Sequence, residues 1–512
     1  MPNTPKSAVQ YDVCLLLEGT YPFVTGGVST WVHNLIKALP EIRFTGICIL
    51  PSAKEQITVK YEIPDNFQDL QVIHIHDHEL SKKGKARKQR RHEQIGVLNN
   101  FHQKMKQGDY SALKSVLPLF PSQPRTGLTT HDMIHGKEAW KLLLDFYNPS
   151  ENRESFIDYF WTYRFTHLPL FKILQTRIPP AQIYHTISTG YAGLLGAAAK
   201  HLHGNALLLT EHGIYTKERR IEIANAEWIY EAAGEQIKMQ KNLSAFQKLW
   251  VQLFEAIGRI VYQEADRIFT LYEGNRQLEI VEGAQPDKIE VIPNGIALEK
   301  FRSLKPPPSP HTMDPPEVLR AGFVGRVAPI KDVKTFIRAC KIVSLHLPGI
   351  RFYVLGPTED DPVYYRECLE LTQVLHLTRQ LEFTGKIDVR EYYRKLDLIV
   401  LTSISEAQPL VLLEGNCAGI PVVASDVGAC REMLEGRTPE DKKIGPSGIV
   451  TRVADPVGTA KSMISILSDP RLRAEMAQAG QKRVEQFYRE SDLNRRYLAI
   501  YQEYMGRAAA SN

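Results

Sequence analysis

Hydrophobic and polar positions follow two periods along most of the chain. Short, almost wholly apolar runs predict buried strands, and amphipathic segments between them predict helices. In the first half the predicted strands are YDVCLLLEG, FTGICIL, LQVIHIH, AQIYHT and ALLLTEHG, with helices at VSTWVHNLIKAL and TGYAGLLGAAAKHLHG. Beyond residue 320 the pattern restarts with the strands RAGFVGR, IRFYVLG, LEFTG, LDLIVLTS, IPVVAS and SGIVTRV. Apolar strands that alternate with helices indicate parallel sheets built from βαβ units.

A proline-rich segment separates the two halves. Residues 301–320, FRSLKPPPSPHTMDPPEVLR, have little apolar content, which is typical of an extended connector. We therefore predict an α/β protein with two doubly wound, Rossmann-like domains at 1–300 and 321–487. Ligands bind at the carboxyl ends of strands in such sheets, so we expect the two domains to face a central cleft.

Residues 80–165 break the alternation and predict a mostly helical insertion in the first domain. The segment SKKGKARKQRRHE holds seven Lys or Arg, and ESFIDYFWTYRF is aromatic. A basic run of this kind is usually a solvated face. The alternative is a docking patch for an acidic partner or an anionic membrane surface.

Composition narrows the class of protein. The 512 residues carry a formal net charge of only +5, so bulk electrostatics do not imply a nucleic-acid partner. No apolar run approaches the roughly 18 residues of a membrane span, and the N-terminus lacks the layout of a signal peptide. Six scattered cysteines without a Cys-x-x-Cys pair favour a reducing cytosol over disulfides or a zinc site.

Two cations lie in a sharp turn between a predicted strand and a predicted helix. Arg326 and Lys331 flank Pro329 in FVGRVAPIKDVKTF. They are either solvated loop charges or an anion clamp at a helix N-terminus, where free N–H groups favour negative charge.

The segment SISEAQPLVLLEGNCAGIPVVAS favours the clamp. We predict Glu406 in a loop after the strand LDLIVLTS, Pro409 at the first turn of the next helix, and Glu414 inside that helix. Both carboxylates would then line the cleft, where they could accept hydrogen bonds from the hydroxyl groups of a sugar or a ribose.

These motifs resemble the donor site of GT-B glycosyltransferases, specifically the retaining family 4. The resemblance rests on Gly325-Arg326, Lys331 and the Glu406-x7-Glu414 loop, with TGGVSTWVHNLIKAL, TEHG and VIPNGI in the first 300 residues. It implies the GT-B architecture and a C-terminal helix near 488–506 that packs back on the N-terminal domain.

The resemblance also implies roles for residues of the second domain. Arg326 and Lys331 would hold the donor diphosphate, Glu406 would contact the transferred sugar, and Glu414 would accept from the ribose. The remaining donor contacts would come from the helix start and from LEFTGKID near the base: Ala407, Gln408, Pro409, Leu410, Gly385, Lys386 and Ile387.

Residues of the first domain complete the predicted site. The family's matching histidine, His212, would contact the transferred sugar, and Gly26 and Gly27 would let the first loop approach the ligand. His185 and Thr189 are predicted on cleft-facing loops on the acceptor side.

Glu211, beside His212, leaves two roles open. It would either orient that histidine or pair with Arg219 or Arg220 on the surface.

A narrower resemblance is to the glycosyltransferases of bacterial Pel exopolysaccharide synthesis. It rests on LLLEGTYPFVTGGVSTWVHNLI, TEHGIYTKERRIEI and the large insertion. It implies a UDP-sugar donor, a growing polysaccharide acceptor, and a cytoplasmic enzyme docked on an inner-membrane synthesis and export complex. No Asp-x-Asp motif stands out, and Asp360-Asp361 suits a loop better, so we expect no metal and no cofactor.

Other functions remain open. The same architecture serves sucrose-synthase-like enzymes and phosphorylases, and a catalytically silent nucleotide-sugar sensor would keep the binding residues. An NAD oxidoreductase is disfavoured, because no G-x-G-x-x-G follows the first strand.

Overall fold

The computed structural model describes residues 11–53, 58–77, 88–120, 128–147, 155–225, 244–304 and 318–510. It divides the chain into two compact units, the first formed by 1–270, 276–290 and 497–512, and the second by 271–275 and 291–496. Most of the predicted basic run (81–87) and of the proline-rich connector (305–317) lies outside the described residues.

The first unit is built on a seven-stranded sheet with the order β3-β2-β1-β4-β5-β6-β7. Its strands are β1 (Tyr11–Glu18), β2 (Phe44–Leu50), β3 (Phe67–His74), β4 (Ala181–Thr186), β5 (Ala206–Glu211), β6 (Arg267–Thr270) and β7 (Ile289–Val291). Among strands β1 to β6, all neighbouring strands pair in parallel, as the apolar runs predict. The sequence pattern did not reveal β6 and β7, which are only four and three residues long.

Ten α-helices precede β7 in the described residues. They are α1 (Gly27–Ala38), α2 (Lys88–Lys106), α3 (Leu113–Val116), α4 (Thr130–His135), α5 (Lys137–Phe146), α6 (Phe156–Leu174), α7 (Tyr191–His203), α8 (Tyr215–Asn225), α9 (Ala245–Glu264) and α10 (Glu273–Val281). Helices α2 to α6 form the insertion and share their own apolar core, which includes Leu98, Phe120, Leu142 and Phe171. In the described part of the chain, no helix has both the length and the apolarity that a bilayer crossing requires.

The second unit is built on a six-stranded parallel sheet with the order β10-β9-β8-β11-β12-β13. Its strands are β8 (Arg320–Val324), β9 (Arg351–Leu355), β10 (Leu381–Gly385), β11 (Leu398–Leu401), β12 (Val422–Ser425) and β13 (Gly448–Thr451). Its helices are α11 (Val333–His346), α12 (Pro362–Val374), α13 (Val389–Tyr393), α14 (Leu410–Cys417), α15 (Cys430–Glu435), α16 (Pro439–Lys442), α17 (Pro456–Ser468) and α18 (Pro470–Phe487); α19 (Glu490–Ala510) follows.

The two sheets have the same strand order, counted from the first strand of each. In both, the chain runs outward through three strands and then returns to pair its fourth strand with its first. The order therefore reverses between β1 and β4 in the first sheet and between β8 and β11 in the second. Open α/β sheets bind ligands at such topological switch points, beyond the carboxyl ends of the strands.

The division between the units differs from the predicted one at both ends. Residues 291–300 group with the second unit, where the Gln408 side chain accepts a hydrogen bond from the Asn294 N–H at 2.7 Å. Helix α19 contributes to the first unit from Tyr497 onward. All six cysteines are buried and unpaired.

Candidate active site

Two loops meet at the switch point of the second unit. The loop after β8 and the loop after β11 are joined by a hydrogen bond from the Ile404 N–H to the Ile330 oxygen at 2.9 Å. The Thr402 hydroxyl also donates to the Asp332 oxygen at 2.8 Å. These bonds hold the predicted cationic turn beside the predicted Glu406 loop.

Lys331 and Glu406 form an ion pair across these loops. The Lys331 Nζ donates to Glu406 Oε1 at 2.5 Å, and both side chains are mostly buried. The Ser403 hydroxyl donates to the same oxygen at 2.6 Å and fixes the carboxylate. The structure thus brings together two predicted site residues and adds Ser403, which the sequence analysis missed.

Arg326 lies on the other side of β8 and is more exposed. Its guanidinium pairs at 2.6 Å with Asp360, an aspartate that we had assigned only to a loop. Three glycines mark the carboxyl ends of β8, β9 and β10: Gly325, Gly356 and Gly385. A Cβ on Gly356, at φ +150°, would lie 2.2 Å from the Gly325 oxygen, so the backbones touch there. This edge of the sheet therefore has a floor of backbone next to Arg326.

Of the two helix N-termini predicted near the clamp, only one lacks a side-chain cap. Helix α11 follows the cationic turn, but Asp332 caps it by accepting from the Thr335 N–H at 3.2 Å. Helix α14, which follows the Glu406 loop, begins after Pro409 without a side-chain cap. An uncapped N-terminus leaves N–H groups and the positive end of the dipole for an anion. The Ala407–Leu410 backbone, rather than α11, thus offers the anion site.

Glu414 lies inside α14, as predicted, and Tyr393 donates a hydrogen bond to its Oε2 at 2.7 Å. Burial raises the pKa of this carboxyl group, although the tyrosine opposes the shift. Gly428, at φ +53°, contacts the loop closely, because a Cβ there would lie 2.3 Å from the oxygens of Glu406 and Ala407.

The segment predicted near a base lies at the end of β10. Gly385 adopts a left-handed φ of +67°, Lys386 is exposed and Ile387 is half-buried against the core.

In the first unit, His212 lies directly after β5 and is 8% exposed. Its ring packs edge-on against Trp31, with 4.7 Å between ring centroids. Its Nε2 has no hydrogen-bond partner among the described residues. Burial lowers the pKa of His212 to about 4, so the imidazole is neutral at physiological pH. A neutral ring with an unsatisfied nitrogen can form a hydrogen bond with a ligand hydroxyl.

The structure places His185 within β4, which corrects its predicted loop position, and Thr189 in the loop after β4, as predicted. His185 lies within β4 and is fully buried, and its ring nitrogens contact the hydroxyls of Tyr501 at 2.7 Å and Thr210 at 2.8 Å. Thr189 is equally buried and donates to Glu211 at 3.2 Å. Both side chains are therefore structural, because their polar atoms are already satisfied inside the unit.

Neither role left open for Glu211 is observed. Its carboxyl group accepts from the Tyr262 hydroxyl at 2.6 Å and from the Tyr215 N–H at 3.0 Å. The arginines pair elsewhere, Arg219 with Glu222 and Arg220 with Glu255. Burial, with nearby Glu282, raises the pKa of Glu211.

Gly26 and Gly27 lie at the exposed start of α1, which has no side-chain cap. A Cβ at either position would meet no atom within 4 Å, so packing does not explain the glycines.

The N-terminus of helix α7, at the switch point of the first unit, is instead occupied by a side chain. The Glu18 carboxylate accepts from the Ala192 N–H at 3.2 Å and from the Tyr215 hydroxyl at 2.5 Å.

Two family models match the chain. Residues 11–287, more than half of it, match "Domain of unknown function (DUF3492)", and residues 319–469 match "Glycosyl transferases group 1". Among curated proteins, D-inositol 3-phosphate glycosyltransferase of Rhodococcus erythropolis is 26% identical, over 59% of this chain and 64% of that protein. The enzyme of the same name from Salinispora tropica is 28% identical, over 44% and 49%. The chain thus spans between about half and just under two thirds of the length of these relatives.

Solved structures share the fold. Sucrose-phosphate synthase of Thermosynechococcus elongatus aligns over 97% of this chain and 99% of its own, at 14% identity with a TM-score of 0.57. Anabaena HepE in complex with UDP aligns over 96% and 99%, at 13% identity with the same TM-score. The chain therefore has the GT-B fold predicted from its motifs.

Proposed function

We propose that this chain, which belongs to the DUF3492 family and carries a group 1 glycosyl transferase domain, transfers a sugar from a nucleotide donor to a carbohydrate acceptor. The observation that carries the proposal is the arrangement at the β8–β11 switch point. There, Arg326, Lys331 and the uncapped start of α14 surround one edge of the sheet, with Glu406 and Glu414 beside them.

The donor is a UDP-sugar, and its diphosphate binds the two cations alongside the carboxylates that pair with them. Lys331 has three N–H donors and Arg326 has five, so each can keep its present partner and still bind phosphate oxygens. A UDP complex of the structurally similar HepE supports this choice of nucleotide. The backbone floor at Gly325, Gly356 and Gly385 leaves room for the nucleotide, and Lys386 and Ile387 flank its base.

The cations act on the departing phosphate. As the sugar–phosphate bond breaks, charge develops on the diphosphate, where Arg326, Lys331 and the α14 N–H groups stabilise it. The acceptor hydroxyl attacks from the same face and loses its proton to the leaving phosphate oxygen, which retains the anomeric configuration.

The carboxylates and His212 orient the sugars. Glu414, held by Tyr393, accepts from the ribose hydroxyls, and Glu406, held by Ser403, accepts from the transferred sugar. The free Nε2 of His212 bonds a hydroxyl of that sugar.

We propose that no divalent ion takes part, since two fixed cations supply the positive charge that the leaving group needs. Turnover that survives saturating EDTA would support this, and turnover abolished by EDTA and restored by Mg²⁺ or Mn²⁺ would refute it.

The acceptor is a growing bacterial exopolysaccharide of the Pel type. This rests on the residues quoted for that resemblance and on the insertion α2–α6. We place the enzyme in the cytoplasm, peripheral to an inner-membrane synthesis and export complex; its six unpaired cysteines suit a reducing compartment.

The test is a thermal-shift panel followed by a turnover assay. UDP and one UDP-sugar should raise the Tm by mass action, and ADP- and GDP-sugars should not. UDP release from that UDP-sugar, with an α- or β-linked product of unchanged configuration, completes the proposal. Binding without release would indicate a silent nucleotide-sugar sensor, and phosphate-dependent release of a sugar phosphate would indicate a phosphorylase.

A further inference from the structure

The helical insertion exposes apolar side chains on the outer surface of two adjacent helices. On α6, Ile157, Trp161 and Phe165 recur at every fourth position and are 65%, 47% and 54% exposed. Side chains four apart on a helix lie above one another, so these three form one outward stripe. Helix α6 already buries its opposite face, where Tyr163 is 5% exposed and Thr166 is 1% exposed. Packing within the insertion therefore does not explain the stripe.

Helix α5 carries a second outward stripe beside the first. Trp140 and Leu144, again four positions apart, are 44% and 43% exposed. Aromatic side chains connect the two helices. The ring centroid of Trp140 lies 5.8 Å from those of Phe156 and Phe160. The two stripes thus form one continuous apolar surface, which we call the α5–α6 face.

Cations occupy the same face. A pocket of about 570 Å³ opens between the helices, with walls of Trp140 and Phe160. Lys137, Lys141 and Arg164 also line it; within the described part of the chain, its lining includes no carboxylate.

Among the residues that the structure describes, aromatic rings rather than an acid hold Arg164. Its guanidinium lies 5.5 Å from the Phe160 ring centroid and 5.2 Å from that of Trp161. A cation stacked on aromatic rings keeps its N–H donors available for an anion.

We propose that the α5–α6 face binds directly to the surface of a bilayer that contains anionic phospholipid. Trp140, Trp161 and Phe165 enter the headgroup boundary, where aromatic side chains are favoured, and the cations of the pocket receive a lipid phosphate. The combination of exposed rings with three cations favours lipid over a protein groove, because an anionic bilayer satisfies both at once. The inference does not depend on sugar transfer.

The experiment is vesicle co-sedimentation of the full chain. Wild-type protein should bind vesicles of phosphatidylcholine with 30% phosphatidylglycerol, release them at high salt, and bind pure phosphatidylcholine far more weakly. The double variant Lys137→Ala, Lys141→Ala should bind the anionic vesicles at least about tenfold more weakly, as expected for two surface cations. The matched control is Arg471→Ala, which removes an exposed cation on α18 and should bind normally.

The apolar contribution is tested in parallel. Trp161→Ser with Phe165→Ser should weaken vesicle binding by at least about tenfold, and Leu345→Ser, at a 70% exposed position on α11, should not. Tryptophan fluorescence should be quenched by brominated lipid in the wild-type protein and much less in Trp140→Phe, Trp161→Phe.

Equal binding by the face variants and the wild-type protein would overturn the proposal. So would equal binding to anionic and neutral vesicles, or a face that captures a protein partner but no vesicle. Because Lys331→Ala should bind vesicles normally, failure here is distinguishable from failure of the donor site.

Discussion

The two units share one strand order, but a different helix N-terminus is left uncapped in each. In the first unit, the helix after the first strand, α1, is uncapped behind Gly26, and the helix after the fourth strand, α7, is closed by Glu18. In the second unit the pattern is reversed, with α11 capped by Asp332 and α14 uncapped behind Pro409.

The difference shows which part of a repeated fold has been left for a ligand. Where the chain's own carboxylate occupies the helix N-terminus, the dipole and the N–H groups stabilise the fold. Where it does not, the same groups remain for an anion, and in the second unit two cations stand beside them. Satisfied polar groups indicate structure, and unsatisfied ones indicate a candidate site.

The largest effect should come from removing a cation at the open switch point. Lys331→Ala or Arg326→Ala should lower kcat/KM by about 10²–10³, the usual scale for one electrostatic contact to a developing charge. For Arg326→Ala the Tm should change little, because an exposed ion pair contributes only about 0–1 kcal/mol. Lys331→Ala should also lower the Tm, because it leaves the mostly buried Glu406 without its cation. The measurement is UDP release from the cognate UDP-sugar, with circular dichroism to check the fold.

The matched control is Lys334→Ala. Lys334 lies three positions along on α11 and pairs with the exposed Glu367 at 2.7 Å, away from the switch point. If Lys331→Ala and Lys334→Ala lost activity equally, or if Arg326→Ala lost only a fewfold with the fold intact, the cation assignment would be wrong.

The next effect should appear in stability at the closed switch point. Glu18→Ala removes the cap of α7 and leaves the buried Tyr215 hydroxyl without its acceptor, at a cost of about 2 kcal/mol. The Tm should fall by about 4–8 °C. Glu18→Gln, which keeps an acceptor oxygen, should lose less, and neither should change the affinity for UDP. A Glu18 variant that lost UDP binding would contradict the division of roles.

A smaller effect should separate binding from transfer at Glu406. Glu406→Gln removes the negative partner of Lys331, so UDP should bind about two- to fivefold more tightly by calorimetry. Sugar transfer should nevertheless fall, because the carboxylate that orients the sugar is gone. Weaker UDP binding in this variant would show that Glu406 supports the nucleotide rather than competing with it.

The pH dependence of stability should come from the first unit. Glu279 is fully buried, and burial together with Glu211 raises its pKa. A carboxyl group with a raised folded pKa stabilises the protein at low pH, and this stability is lost as pH rises above the unfolded value near 4.5. Between about pH 6 and pH 9, the Tm of Glu279→Gln should therefore fall less than the Tm of the wild-type protein. The difference should be roughly 2–4 °C for each kcal/mol of stability that the wild-type protein loses. Parallel curves would contradict the assignment.

The smallest expected effect is an absence of change at His212. Because its pKa is lowered to about 4, its titration should produce no fall in kcat/KM between about pH 8 and pH 5. An acid limb near pH 6.5 that disappeared in His212→Gln would show that the imidazole is not buried in the working enzyme.

Local pattern was sufficient to predict much of the fold. The apolar runs gave eleven of the strands in the described residues, and the Glu406 loop and the Glu414 helix followed from Pro409 and the preceding strand. The GT-B fold was also predicted from motifs of a few residues. Strands β6 and β7 were missed because three or four residues are too short to show a period.

Long-range partners account for most of the rest. His185 was misplaced because the hydroxyl that binds it belongs to Tyr501, 316 positions away. Arg326 meets Asp360, and Glu18 caps α7, only because the sheet order brings their strands together. The cap of α11 is local instead, because Asp332 directly precedes that helix, whereas Pro409 leaves α14 without a side-chain cap.

The most direct test of the donor site is amide hydrogen exchange with and without UDP. Binding should slow exchange at 407–412, where α14 begins, and at 325–331, where the cations lie, and it should leave the capped starts of α11 (333–337) and α7 (191–194) unchanged. Protection that is absent from 407–412, or that appears equally at the capped helix α7, would contradict the claim that the second switch point holds the diphosphate.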